Sequence, residues 1–107
     1  AARMMEWQSD ATLFLAAREV TPTWARVRYN AGAALMESGS HRAARDEFRE
    51  AVRIAPDYGD AWINLGIVEL RLDRPREALS ALERARAITP GHPALAGPLT
   101  EARARVR

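Results

Sequence analysis

The chain has 107 residues, 16 basic against 14 acidic side chains and a formal net charge of +2, and every one of its strong cations is arginine. That length makes one domain with a buried core, and the near balance of charge speaks against nucleic acid as a partner: a pI of 9.9 mainly reflects guanidinium groups that hardly deprotonate. With no cysteine there is no disulfide and no thiolate metal site, and no apolar run is long enough to insert in a bilayer and no signal peptide is visible.

Residues 1–24 read as a partial unit holding one helix. Ser9 or Asp10 is expected to cap it, and it runs to about Val20 through Leu13, Phe14 and Leu15. Its circumference is mostly apolar, so it needs cover on two sides. Met4, Met5 and Trp7 folding back would supply that cover, as would a weak homodimer through Leu13, Phe14 and Leu15. The chain opens without methionine and in mid-unit, which implies a piece of a longer protein.

Residues 25–58 form the first full hairpin. Its opening helix, about Ala25 to Glu37, places Arg28, Ala31, Gly32 and Leu35 on one face. Small residues there permit a close helix crossing, which outweighs the roughly 1 kcal/mol that glycine costs inside a helix. Gly39 is expected to take the left-handed turn and Ser40 to cap the next helix through its hydroxyl. That second helix buries Ala44, Phe48, Ala51, Val52 and Ile54, and Pro56 stops it.

Residues 59–92 repeat these choices with Trp62, Leu65 and Gly66, then Ala78 and Leu82, then Pro90. Asp57 is expected as the cap, and Pro75 suits a first turn. Residues 93–107 make a closing helix with the stripe Leu95, Leu99, Ala102 and Val106, delayed or kinked by Pro98. Glu101, Arg103, Arg105 and Arg107 give it the polar outer face that an end unit requires.

The unit returns every 34 residues: Trp62, Leu65, Gly66, Ala78, Leu82 and Pro90 answer to Arg28, Ala31, Gly32, Ala44, Phe48 and Pro56. This pattern of W-x-x-L-G, A-x-x-x-F and P resembles the tetratricopeptide repeat. The resemblance implies an all-α array, two full repeats flanked by single helices. Arg28 stands where that family often has Trp, and Glu69 where it usually has a bulky aromatic, so packing at both places is expected either to be looser or to re-form around neighbours such as Tyr29 and Tyr58. A second, looser resemblance joins Arg3, Trp7, Asp10, Thr12-Leu13-Phe14 and Pro22, leading into Tyr29-Asn30-x-Gly32, to the junction between membrane domain and repeats in transmembrane protein O-mannosyltransferases and their bacterial relatives. It implies an extracytoplasmic or periplasmic domain whose catalytic part lies elsewhere, against the alternative of a cytoplasmic scaffold.

The residues offer little chemistry. His41 and His92 lie beside helix starts and suit loops or caps. There is no nucleophile triad order, no phosphate-binding glycine loop and no isolated carboxylate pair. The reading is a non-enzymatic module with no cofactor and no metal. Arg42, Arg45, Arg49 and Arg53 alternate with acids, as on a solvated face with local ion pairs.

One constellation points to binding. At 100° per residue, Arg26, Asn30, Ala33 and Glu37 form a stripe away from the core positions, and Asp60, Asn64, Ile67 and Arg71 repeat it. In a hairpin array the opening helices line the concave surface, so the stripes make one wall, with Tyr29 and Ile63 adding apolar area. Asn30 and Asn64 each offer a donor and an acceptor, which suits an extended backbone. In some tetratricopeptide proteins a ladder of asparagines holds a peptide in this way, so the resemblance implies a protein or peptide ligand here. The end charges invert between stripes, which allows Arg26 to pair with Asp60 and Glu37 with Arg71.

Overall fold

The structure, a computed structural model, describes residues 22–106, which form five α-helices and no strand. In chain order these are α1 (Thr23–Glu37), α2 (His41–Ile54), α3 (Gly59–Arg71), α4 (Pro75–Ile88) and α5 (Ala96–Val106). The expected all-α hairpin array is what forms, and α4 starts and stops 34 residues after α2. The helix expected over residues 9–20, its cover by Met4, Met5 and Trp7, and the self-association surface Leu13, Phe14 and Leu15 lie outside the described residues.

Both hairpin turns are built alike. Gly39 has φ 85, and Asp73, at the corresponding position of the next hairpin, has φ 61. In the first turn the Ser40 amide donates to the Leu35 carbonyl at 2.8 Å and the Gly39 amide to Met36 at 3.1 Å; in the second, Arg74 donates to Glu69 at 2.8 Å and Asp73 to Leu70 at 3.0 Å. These are Schellman closures, which satisfy the last free carbonyls of α1 and α3. Aspartate replaces glycine because its short polar side chain tolerates the left-handed region better than most.

Two expected caps do not form. Ser40 occupies the cap position of α2 at ψ 71, short of an extended backbone, and makes no side-chain bond to the first turn. Its neighbour Ser38 uses its hydroxyl to donate to the Leu35 carbonyl at 2.9 Å. At α3 the cap position falls on Tyr58 and not on Asp57; the Tyr58 carbonyl accepts from the amides of Ala61 and Trp62, both at 3.1 Å. Pro75 does occupy the first turn of α4. Pro98 lies in the first turn of α5, where its missing donor has no helical partner to lose, so it sets the start of the helix without kinking it.

Glycine sets the helix crossings. A β-carbon on Gly32 would lie 2.7 Å from the Phe48 ring, and one on Gly66 would lie 2.5 Å from Leu82 Cγ. Each glycine therefore lets a fully buried side chain of the second helix lie on the backbone of the first. Ala44, Ala51, Val52, Ala61, Leu65 and Val68 build the core between the hairpins around Phe48. Ile63, Leu70, Ala78, Leu82 and Ala85 join Leu95, Leu99 and Ala102 to seal α5 onto the second hairpin. The opening helices α1 and α3 touch, as do α3 and α5, whereas α2 and α4 do not. The stack therefore curves with α1, α3 and α5 on its inner side.

The two departures from the repeat pattern are resolved by charge. Arg28 turns outward, and its Nη1 donates to Glu47 at 3.2 Å. Glu69 is only 2% exposed; its carboxylate lies between Arg49 of α2, at 3.4 Å, and Arg74 of the second turn, at 3.1 Å. Tyr29 and Tyr58 instead gather on Phe48's side of the core. Arg103 and Arg105 do more than face water: Arg103 pairs with Glu83 at 3.3 Å, and Arg105 pairs with Asp73 while donating to the Leu70 carbonyl at 3.1 Å. They pin α5 to the second hairpin.

Candidate functional site

The inner surface is carried by α1 and α3. Helical spacing puts Arg26, Asn30, Ala33 and Glu37 on one stripe of α1, and three of them are exposed, with Ala33 half-buried. On α3, Asp60 and Arg71 are exposed and Asn64 and Ile67 are half-buried. Ile63 does not belong to this surface. At 3% exposure it is a core residue, because the closing helix brings Leu95 and Leu99 over it. Ile67 also gives part of its area to that cluster.

The stripes are joined by a side-chain contact across the hairpins. Asn64 Nδ2 donates to the Tyr29 hydroxyl at 3.3 Å. The Tyr29 ring is itself held between aromatics, with centroid separations of 5.1 Å to Tyr58 and 5.8 Å to Phe48, both tilted. Such pairs are favourable beyond their buried area. Asn30 is exposed and makes no side-chain hydrogen bond among the described residues.

The end charges do not pair as their inversion allows. No Arg26–Asp60 or Glu37–Arg71 ion pair forms. Asp60 meets His92 instead, Oδ1 to Nε2 at 3.0 Å, while His92 Nδ1 accepts from the Ala94 amide at 3.1 Å. The amide fixes the tautomer: Nδ1 is the acceptor, so Nε2 bears the proton that Asp60 receives. Tyr58 and His92 complete this end of the surface. Both were open to detection in the sequence, since they occupy corresponding positions 34 residues apart, as Asn30 and Asn64 do.

Burial holds the Tyr29 phenol above its ordinary pKa; the Asp60 carboxylate adds to this and the bond from Asn64 opposes it. Tyr58 is raised for the same first reason, with Tyr29 and Asp60 adding and Arg26 opposing. These are the only two tyrosines. Phenolate absorbance of the native protein is therefore expected to rise at higher pH than that of the urea-unfolded chain. Because the folded state holds its phenol protons longer, tyrosine-linked stability is intact below pH about 10 and falls as pH climbs through the raised values. Coincident native and unfolded titration curves would contradict this arrangement.

Among the described residues no group of three or more histidine, aspartate and glutamate side chains is placed to hold a metal ion, and no helix is long and apolar enough to cross a membrane. What this surface offers is an amide-bearing wall, flanked by aromatic rings and by charges of both signs.

Stacked helical hairpins with glycine crossings, curved around their opening helices, define a helical repeat protein. The tetratricopeptide repeat family model matches residues 35–104, and the chain belongs to that family. It is 32% identical over 88 residues to the protein O-mannosyl-transferase TMTC3 of Mus musculus, a match that covers 82% of this chain and 10% of that protein. It is 36% identical over 63 residues to the peroxisomal targeting signal receptor of Saccharomyces cerevisiae, covering 58% of this chain and 10% of the receptor. The chain thus spans about a tenth of the length of these curated relatives. Among solved structures, PcrH from Pseudomonas aeruginosa aligns with a TM-score of 0.61 at 19% identity, over 98% of this chain and 80% of that one. That likeness is one of fold, and the fold is consistent with a protein-interaction module.

Proposed function

We propose that the chain is a non-catalytic interaction module that binds an extended polypeptide against the inner surface of α1 and α3. The observation that carries this reading is the pair of asparagines at one register of adjacent inner helices, Asn30 exposed and Asn64 reached through Tyr29. An extended backbone presents an amide and a carbonyl alternately, and a carboxamide answers both. Arg26, Ala33, Glu37, Asp60, Ile67 and Arg71 border the contact. Their mixed signs select against a highly charged ligand. Affinity is modest, because two hairpins offer a short groove and ordering the peptide opposes binding. The name of the targeting signal receptor, one relative, describes the recognition of a signal, which supports the reading. The similarity to the O-mannosyl-transferases covers a tenth of their length, and no reaction follows from it.

A peptide-array screen on wild type and on Asn30→Ala, Asn64→Ala tests this. Peptides found with the wild type are expected to lose at least about tenfold in affinity on the double variant, the equivalent of one or two hydrogen bonds. Circular dichroism checks that the variant is folded, since losing the Asn64 contact releases Tyr29. Equal binding by the folded variant, or crosslinks that map to Arg45, Arg49 and Arg53, would overturn the assignment.

A further inference from the structure

Away from the inner surface, the start of α2 and the turn between α3 and α4 enclose a cleft of about 330 Å³ lined by Arg42, Arg45, Leu72 and Arg74. We propose that this cleft binds a phosphate group, as the free ion or as a phosphate monoester.

The sequence pattern places Arg42 and Arg45 on a solvated face with local ion pairs; in the structure Arg42 is exposed and Arg45 half-buried, and the two differ from Arg49 and Arg53 in their pairing. Arg49 and Arg53 are occupied, the first by Glu69 and the second by Glu50. Arg42 has no ion-pair partner among the described residues. Arg45 reaches only its neighbour Asp46, at 3.7 Å, and that carboxylate is 70% exposed while the Arg45 side chain is 20% exposed. The atom nearest that carboxylate is Arg45 Nε, which is buried and makes no hydrogen bond. With its nearest carboxylate beyond hydrogen-bond distance and largely in water, the Arg45 guanidinium keeps much of its charge uncompensated at the wall of the cleft.

Arg74 closes the opposite wall. Its Nε lies 3.1 Å from Glu69 Oε1 without hydrogen-bond alignment, and its Nη2 meets Glu77 at 3.5 Å. These carboxylates fix Arg74 in place and neutralise much of its charge, so Arg42 and Arg45 supply the net attraction. They are three residues apart in the first turns of α2, on one helix face. No acidic residue stands in that first turn, and its N-cap makes no side-chain bond, so the helix dipole adds to the field. Donors converging from α2 and from the opposite turn suit a tetrahedral oxyanion better than a flat carboxylate, which two guanidinium edges would saturate.

The test is to follow the arginine Nε–H resonances of the 107-residue chain while inorganic phosphate replaces chloride at constant ionic strength and neutral pH. Saturable shifts are expected at Arg42, Arg45 and Arg74, with acetate at least about tenfold weaker. Arg42→Gln, at an exposed position that leaves the fold intact, and Arg45→Gln are each expected to raise the half-saturation concentration about tenfold, whereas Arg86→Gln, on α4, leaves it unchanged. O-phosphoserine run against serine separates the sources: equal affinity with phosphate assigns the site to the ion itself, tighter binding to a phosphorylated residue. A linear drift common to all arginines, acetate as tight as phosphate, or an unchanged midpoint in Arg42→Gln would overturn the proposal.

Discussion

Phe48→Ala is expected to lower the unfolding free energy by about 3–5 kcal/mol, read as a shift of the urea midpoint at constant slope. Phe48 is fully buried, its ring lies on the backbone at Gly32, and it joins the two hairpins through Ala61, Leu65 and Val68. Its loss opens a cavity where neighbours cannot collapse, because α1 and α3 are each held by their own turns. Small domains have only about 5–15 kcal/mol to lose, so the variant should be largely unfolded under mild denaturing conditions. Gly32→Ala attacks the same contact from the other side. Its β-carbon would lie 2.7 Å from the ring, and forcing the helices apart costs about 1–3 kcal/mol. Combining the two should be less harmful than their sum by about 1 kcal/mol, since the new methyl group enters the space the ring has left. Additive effects would show that the crossing is not set by this pair.

Glu69→Ala is expected to cost about 2–3 kcal/mol, while Glu69→Leu remains within about 1 kcal/mol of wild type or exceeds it. The carboxylate is 2% exposed, but its partners Arg49 and Arg74 have side chains 48% and 40% exposed. Freed of Glu69, both guanidiniums can turn to water, so little charge is left stranded. What alanine loses is volume at a closed site, and leucine restores it. The corresponding residue of the first hairpin is Leu35, half-buried against the same core. Equal destabilisation by alanine and leucine would mean that the ion pairs themselves hold the second turn against α2.

The hairpins were legible because their causes are local and periodic. Gly39 and the proline at residue 75 act on their own backbone, and the apolar spacing of Ala44, Phe48 and Ala51 selects a helix face without reference to any other element. Of the caps, the position of Ser40 was legible but not the absence of its side-chain bond, and the shift of the α3 cap from Asp57 to Tyr58 was not. Ser40 and Asp57 have side chains suited to capping, but the Schellman closure and the turn after Pro56 settle the backbone first, and the ψ of 71 at Ser40 goes with a missing side-chain cap bond. The inner surface was legible only as two stripes.

From sequence alone follow the all-α class, the 34-residue recurrence, the small residues at the crossings and the family resemblance, since each depends on residue type and spacing. The tertiary structure decided what lies between elements. It buried Ile63 under Leu95 and Leu99, joined Tyr29 to Asn64 across 35 residues, gave Asp60 to His92 in place of Arg26, and enclosed Glu69 between Arg49 and Arg74. Periodicity tells which way a side chain faces on its own helix. Whether that direction meets water, a core or a counter-charge depends on how closely the next helix packs, and here two glycines and a closing helix determine that distance.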